Sequence, residues 1–341
     1  MSGQTNYKVC VNCPTFNQAP YITATMEGFC MQQTDFPFVC AIIDDASVDG
    51  EQEVITQYLH NHFSTETTEE TADYHLSFAH HKENPNCHFA VLLLKYNHYS
   101  IKKSTLPYIS RWFDGADYFT MCEGDDYWTE PQRLQRQADA LDANPKAFMA
   151  YTSYRVVDAE DKPFRRPLIE SFPLRSHSGD NLPTLLRYGN YVMTLTTMYR
   201  NEIWKTEAYQ SCPHHWLDFS RTMAAALMGD FIWMPEVTAS YRSLPTGLIR
   251  SNNQGIKQTT REVYHHYALL IVTGKCKKMS FWEAVNVRCL ILMRSFEKKD
   301  SVLRKSVLHV DFYSLLLMPM VFVAWKMGRL KKHFIRRVRK R

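Results

Sequence analysis

Residues 38–50, FVCAIIDDASVDG, decide the fold of this chain, because an apolar run passes directly into an acidic turn. The run itself, 38–43, is short and contains three β-branched residues, which predicts a buried strand. The residues after the turn, 48–59, predict a helix. A buried strand followed at once by a helix is typical of parallel sheets that carry helices on both faces.

The same alternation continues on both sides of this segment. The sequence predicts further strands over residues 8–13, 118–122 and 147–154, a buried segment over 89–94, and further helices over residues 18–32, 104–113 and 131–144. The polar segment 61–86 matches no element, and 156–183, with four prolines, predicts a loop on the acceptor side. Residues 280–283 form a capping-box pattern in the helical part that follows. We therefore expect an α/β domain with a mainly parallel sheet over 1–245 and a helical extension over 246–341.

The composition is that of a folded protein. Of the 341 residues, 45% are apolar, too many for a chain that is disordered throughout. The nine cysteines are scattered and the first residues lack the apolar core of a signal peptide, so we expect a reducing cytoplasm. Cys10 and Cys13 form a C-x-x-C inside an apolar run, whereas a redox pair should open a helix. They are therefore predicted to pack in a buried strand.

Two acidic clusters follow two of the predicted strands. The first contains Asp44, Asp45, Ser47 and Asp49, and the second contains Glu123, Asp125 and Asp126. Ligands of an open parallel sheet bind at the carboxyl ends of the strands, so both clusters should face one crevice. Carboxylates that converge there repel each other unless a cation joins them, and an oxygen-only set of ligands suits Mg²⁺ or Mn²⁺.

Three motifs in this order resemble those of the family 2 inverting glycosyltransferases, whose fold is called GT-A. They are P-T-F-N at 14–17, D-D-A-S-V-D-G at 44–50 and E-G-D-D-Y-W at 123–128, where the family commonly has P-T-Y-N, D-D-G-S-x-D-G and D-A-D-D. Further segments similar to those of bacterial members, which work in surface-polysaccharide assembly, are N-H-Y-S at 97–100, L-D-F at 217–219 and Y-R at 241–242. The resemblance covers residues 7–245 and implies a transferase that uses a nucleotide-diphosphate sugar, with a UDP-sugar expected.

The resemblance assigns a donor site to residues from these motifs. The implied donor-binding residues are Pro14, Thr15, Asn17, Asp44, Asp45, Ser47, Asn97, Glu123, Gly124, Asp125 and Arg242. Thr15 and Asn17 would lie beside the nucleotide, and either Asp44 or Asp45 would accept a hydrogen bond from its base. Arg242 could steady the diphosphate or pair with an acid.

The resemblance also implies the catalytic roles. Asp125, with Glu123 and Asp126, would hold the Mg²⁺ or Mn²⁺ that bridges the two phosphates of the donor. Glu123 occupies the position of the family's first Asp, which contacts the ribose or the metal. The side chain of Glu123 is longer than that of Asp, so its role stays open. Asp218 would be the general base that takes the proton of the acceptor hydroxyl. In-line attack from the face opposite the leaving group would invert the anomeric centre.

The C-terminal part has the pattern of a membrane-surface anchor. From residue 326 to residue 341 there are nine Lys or Arg and no acid, which leaves 31 of the 40 basic residues against 35 acidic ones elsewhere. The apolar run before them, 314–325, is shorter than the roughly 20 residues of a spanning helix. We therefore expect a peripheral protein at the inner face of an anionic membrane, with a glycan or lipid-linked glycan as acceptor. Nucleic acid is not expected, since no nucleic-acid recognition fold accompanies the tail.

Two other functions fit parts of the pattern. A sugar nucleotidyltransferase would also bind a nucleotide on such a sheet, but it usually carries a Gly-rich, basic loop after the first strand. Here the first glycine after that strand is Gly28, inside a predicted helix, which argues against it. A non-catalytic nucleotide-sugar-binding protein is the other alternative, and the retention of Asp125, Asp126 and Asp218 argues against that.

Overall fold

The computed structural model describes residues 7–245, 254–275 and 279–338, with side chains as far as residue 327. These residues form two compact units, and neither is continuous in sequence. The first unit contains residues 7–179, 192–203 and 230–245, and the second contains 180–191, 204–229 and the described residues from 254 onward. The single domain boundary expected near residue 245 stays a prediction. Residues 180–191 and 204–229, which come before it, lie with the helices of the second unit.

The first unit is built on a sheet. Its strands are β1 (Val9–Thr15), β2 (Phe38–Asp44), β3 (Phe63–Glu70), β4 (Tyr74–His81), β5 (Cys87–Leu94), β6 (Tyr118–Met121), β7 (Tyr127–Trp128), β8 (Ala147–Val157), β9 (Thr197–Arg200) and β10 (Asp230–Arg242). Their order in the described part of the chain is β3-β4-β5-β2-β1-β6-β9-β8-β10-β7. The neighbours β5, β2, β1 and β6 are parallel, as are β8 and β10, and the other pairs are antiparallel.

Helices connect these strands and cover the sheet. Those of the first unit are α1 (Ile22–Cys30), α2 (Glu51–His62), α3 (Leu106–Phe113), α4 (Arg133–Asp142) and the short α5 (Pro167–Glu170). The parallel strands are buried at nearly every position because both of their faces are covered, which is why their sequences are continuous apolar runs. The predicted α/β fold with a mainly parallel centre is confirmed.

The predicted strands are present, with shifted ends. The first two continue past their expected ends, through Thr15 and Asp44, so residues of both motifs belong to the sheet. Pro14 fits inside β1 because the pairing with β6 has already ended at Asn12, and the Pro14 carbonyl accepts a hydrogen bond from the backbone N–H of Gly124 at 3.2 Å. The first helix is shorter than expected.

The segment that matched no element, 61–86, contains the antiparallel hairpin β3–β4 at the edge of the sheet. Its outer strand is mostly exposed and rich in Thr and Glu, a composition that suits an edge strand because charges discourage pairing with another chain. The expected loop 156–183 is largely correct, although β8 enters it as far as Val157 and α5 lies within it.

The C-x-x-C pair packs in the core, as predicted. Cys10 and Cys13 are fully buried in β1, and burial raises the pKa of the Cys10 thiol to about 12 and that of Cys13 well above its usual value. Gly28 lies inside α1, where a Cβ would come within 2.9 Å of the backbone nitrogen of Trp128. That glycine serves the close packing of a helix and does not belong to a phosphate-binding loop.

The second unit is helical. Its helices are α6 (Leu182–Tyr188), α7 (Glu207–Gln210), α8 (Asp218–Met228), α9 (Gln254–Val272), α10 (Phe281–Glu297), α11 (Ser301–Val310) and α12 (Phe312–Val338). The predicted capping box is present at the start of α10, where Ser280 and Glu283 each bond the backbone N–H of the other. Arg288 of α10 forms an ion pair with Asp311 at 2.7 Å, which ties α10 to the start of α12.

Candidate active site

Three carboxylates meet directly after β6, where the sequence predicts a cation site. One oxygen from each of Glu123, Asp125 and Asp126 lies within 4.8 Å of the other two. Glu123 is exposed, Asp125 is half-buried and Asp126 is only 3% exposed. Three carboxylates that converge from one short loop, with no nitrogen or sulfur ligand, form the hard oxygen set that Mg²⁺ and Mn²⁺ prefer, so these residues fit a divalent cation.

The two more buried carboxylates of this cluster have raised pKa values. Burial raises the pKa of Asp125. Burial raises the pKa of Asp126 well above its usual value, and the nearby charges of Asp125 and Glu123 raise it further. Both shifts express the cost of taking a carboxylate from water, and the shift of Asp126 also includes the cost of placing it beside other carboxylates. A divalent cation would offset that cost.

Close packing fixes the backbone of this acidic loop. The hydroxyl of Thr25 in α1 donates to the carbonyl oxygens of Gly124 at 2.9 Å and Asp126 at 2.7 Å. A Cβ at Gly124 would lie 2.0 Å from the hydroxyl oxygen and 2.6 Å from the Cβ of Thr15. Only glycine fits between Thr15 and the loop.

Arg242, at the end of β10, holds the same loop from the other side. Its backbone N–H donates to Oδ1 of Asp126 at 2.7 Å, and its Nε donates to the carbonyl of Asp125 at 2.9 Å. The guanidinium forms an ion pair with Asp161 at 2.8 Å and lies over the ring of Tyr21. Of the two roles left open for Arg242, pairing with an acid is the one that the structure shows. A contact with phosphate stays a prediction.

The two aspartates that follow β2 are both engaged within the protein. Asp45 accepts the backbone N–H groups of His98 at 2.6 Å and Tyr99 at 3.0 Å. Asp44 is fully buried, and its Oδ1 accepts the backbone N–H of Ser47 at 3.0 Å and the side chain of Gln52 at 2.5 Å. Recognition of a nucleobase by either carboxylate stays a prediction.

Other motif residues connect the loops through hydrogen bonds. Asn17 has a positive φ of 54°. Its backbone N–H donates to the hydroxyl of Ser47 at 2.8 Å, and its side-chain oxygen accepts from Val48 at 2.9 Å. Asn97 donates to the carbonyl of Asp45 at 3.2 Å. Residues chosen from three motifs therefore come together as neighbours around the ends of β1 and β2, and their contacts shape the rim of the site.

Glu51 was missed by the sequence reasoning. It opens α2 directly after the D-G that ends the second motif, and its side chain is fully buried between the loops. It accepts hydrogen bonds from the hydroxyl of Thr15, from the backbone N–H of Gln18 and from the hydroxyl of Ser47. Burial raises the pKa of Glu51 despite these bonds. An acid in the first turn of a helix looks like an ordinary capping residue in sequence, so the only signal was its place beside the motif.

Asp218, the expected general base, belongs to the second unit. It is the first residue of α8, its side chain is 46% exposed, and Oδ1 lies 3.6 Å from the guanidinium of Arg221. Trp216, just before the helix, is half exposed. The catalytic role of Asp218 stays a prediction.

No protein-family model matches the chain. In sequence, it is 26% identical over 242 residues to the uncharacterized proteins Rv1520 of Mycobacterium tuberculosis and Mb1547 of Mycobacterium bovis. The match covers 70% of this chain and 59% of each relative, so it spans less than two thirds of their length.

Two solved structures of S. aureus TarS have a fold similar to that of this chain. Residues 1–349 of TarS in complex with UDP match with a TM-score of 0.51 and 15% identity, over 85% of this chain and 72% of that chain. A second TarS structure matches with a TM-score of 0.50 and 16% identity, over 85% of this chain and 43% of that chain. Together with the sheet order, this likeness defines the fold as that of the GT-A glycosyltransferases.

Proposed function

We propose that this protein is a metal-dependent, inverting glycosyltransferase that moves a sugar from a nucleotide-diphosphate donor to the hydroxyl of a glycan or lipid-linked glycan. The observation that carries the proposal is the convergence of Glu123, Asp125 and Asp126 within 4.8 Å at a strand end of a GT-A fold. TarS, which has this fold, was solved with UDP, and this supports a UDP-sugar as donor. The resemblance to bacterial family 2 members supports a place in cell-surface glycan assembly.

Glu123, Asp125 and Asp126 would hold Mg²⁺ or Mn²⁺ in this proposal. A bound cation supplies positive charge to the diphosphate as it leaves the sugar. The protein contributes a fixed loop: Gly124 packs on Thr15, and the backbone of Arg242 bonds Asp126, so the three carboxylates are held before the donor binds.

Asp218 would act on the acceptor. A free hydroxyl is a poor nucleophile, so a carboxylate that accepts its proton during the attack speeds the transfer by about 10²–10⁴-fold. The hydroxyl oxygen then forms the new bond to the anomeric carbon, while the bond to the diphosphate breaks on the opposite face. One substitution at that carbon inverts its configuration.

The test is a screen of nucleotide sugars for donor hydrolysis with Mn²⁺, with Mg²⁺ and with excess EDTA. We expect turnover of a UDP-sugar that needs the cation and is lost in Asp125→Asn. Asp139→Asn, which changes an exposed carboxylate on α4, is the matched control and should keep full activity. Full turnover in EDTA, or an active Asp125→Asn protein, would contradict the proposal.

We further propose that the protein works at an anionic membrane surface through α12. The apolar side chains of this helix that are well exposed are Phe312, Tyr313, Leu315, Leu316, Met320, Phe322, Val323 and Met327. Among the described residues no helix has the length and apolar character needed to cross a bilayer. Exposed apolar groups beside a cationic segment suit binding in the plane of a negatively charged surface. Apart from Lys326, the basic side chains of the tail lie outside the described residues.

A further inference from the structure

Glu51 is a buried acid whose partners belong to loops of the proposed donor site. Its carboxylate takes a hydrogen bond from Thr15 on one oxygen, and from the backbone N–H of Gln18 and the hydroxyl of Ser47 on the other, the last two at 2.8 Å. The side chain is fully buried. Three donors around one buried carboxylate satisfy it and fix the loops that carry them.

Two chains of contact lead from Glu51 to the acidic cluster. In the first, Glu51 bonds the hydroxyl of Thr15, and that hydroxyl fills the space where a Cβ of Gly124 would stand, 2.0 Å away. In the second, Glu51 bonds the backbone of Gln18, and the side chain of Gln18 hydrogen-bonds Asp125. Both routes end on the loop that carries the three carboxylates.

The charge of Glu51 determines that the hydroxyl of Thr15 is the donor in the hydrogen bond between them. A carboxylate only accepts hydrogen bonds, so Thr15 must donate its single proton to it. A Gln side chain offers one acceptor oxygen and an NH₂ group. If its oxygen keeps the N–H of Gln18, its NH₂ faces Thr15, whose proton must then find another partner. Substitution by Gln therefore preserves volume and burial but disturbs the contact next to Gly124.

We propose that Glu51 is a positioning residue, which sets the geometry of the Glu123, Asp125 and Asp126 carboxylates through Thr15 and Gln18 and thereby the affinity of the cation site. The inference rests on the proposed function, since it assumes that this cluster binds a divalent cation. Glu51 itself is not one of the three clustered carboxylates.

The experiment compares the wild-type protein with Glu51→Gln and with Glu53→Gln, which lies on the same helix and is exposed. The dissociation constant of Mn²⁺ is measured without nucleotide, from the electron paramagnetic resonance signal of free Mn²⁺, and the melting temperature is measured in parallel. Glu51→Gln should bind Mn²⁺ about tenfold more weakly, the effect of losing one hydrogen bond to a charged group. Glu53→Gln should match the wild type.

A second variant tests one route alone. Gln18→Ala removes the side chain that bonds Asp125 but keeps the backbone N–H that bonds Glu51, so it should also weaken Mn²⁺ binding. The double variant should lose less than the product of the two single fold-changes, because both act on the same loop. Gln18→Ala also serves if Glu51→Gln does not fold, and unchanged Mn²⁺ affinity in it would then overturn the inference.

The outcomes separate the two proposals. A lower melting temperature for Glu51→Gln with an unchanged Mn²⁺ dissociation constant would show a structural role only and overturn the inference, while the proposed function stands. A wild-type protein that binds no Mn²⁺ would refute the metal-dependent function and the inference with it.

Discussion

Replacement of Asp126 by Asn should stabilise the metal-free protein while it weakens the cation site. Oxygens of Glu123, Asp125 and Asp126 lie within 4.8 Å of one another, and Asp126 is buried. Two unit charges 4.8 Å apart repel by about 1 kcal/mol at the dielectric constant of water and by about 3 kcal/mol at an effective value near 20. Asn keeps the oxygen that accepts from the backbone of Arg242 but carries no charge. We therefore expect the free energy of unfolding at pH 7.5 to rise by about 1–3 kcal/mol.

The wild-type protein should show the corresponding dependence on pH. The pKa of Asp126 is raised well above its usual value, and that of Asp125 is also raised, by burial in both cases. The folded protein therefore keeps protons on these two carboxylates that the unfolded chain has released, so their contribution to metal-free stability is greatest near and below pH of about 4 and falls as the pH rises through the folded pKa values. Bound Mn²⁺ should restore much of this loss at neutral pH, because it neutralises the same carboxylates.

The assay is thermal unfolding between pH 4 and 8, with EDTA or with Mn²⁺, for the wild type, Asp126→Asn and the control Asp139→Asn. At roughly 2–4 °C per kcal/mol, Asp126→Asn should melt several degrees higher than the wild type in EDTA at neutral pH and gain little from Mn²⁺. The control should follow the wild type. A metal-free wild type whose stability does not change between pH 5 and 8, or an Asp126→Asn protein that is no more stable, would refute the reasoning.

Three further changes test other parts of the molecule. Gly124→Ala should lower the free energy of unfolding by about 1–3 kcal/mol, because its Cβ would lie 2.0 Å from the hydroxyl of Thr15; an unchanged urea midpoint would contradict this. Asp218→Asn should keep UDP binding and slow transfer by about 10²–10⁴-fold, and a loss below about tenfold would rule out the general base. Leu316→Glu with Val323→Glu, both exposed on α12, should reduce sedimentation with anionic vesicles and leave donor hydrolysis intact, whereas unchanged sedimentation would exclude this face as the contact.

The sequence was sufficient for the fold and for the acidic cluster. Apolar runs such as 38–43 and 118–122 are buried on both faces, so their composition alone marks them as central parallel strands. The carboxyl ends of such strands share one edge of the sheet, which is why Glu123, Asp125 and Asp126 could be predicted as a group. The hairpin in 61–86 escaped prediction because its edge strand is exposed and lacks an apolar pattern.

Only the tertiary structure decided what the individual motif residues contact. In sequence Asp45 and Arg242 are charged residues of the motifs, and Glu51 directly follows one. From the charge alone, each could bind either a ligand or another residue of the protein. In the folded chain Asp45 binds the backbone at 98–99, Arg242 pairs with Asp161, and Glu51 joins the ends of β1 and β2. The physical reason is the order of the strands: β1 lies between β2 and β6, and β10 pairs with β7. Loops that are 30 to 116 residues apart in sequence therefore meet, and local composition does not indicate which loops those are.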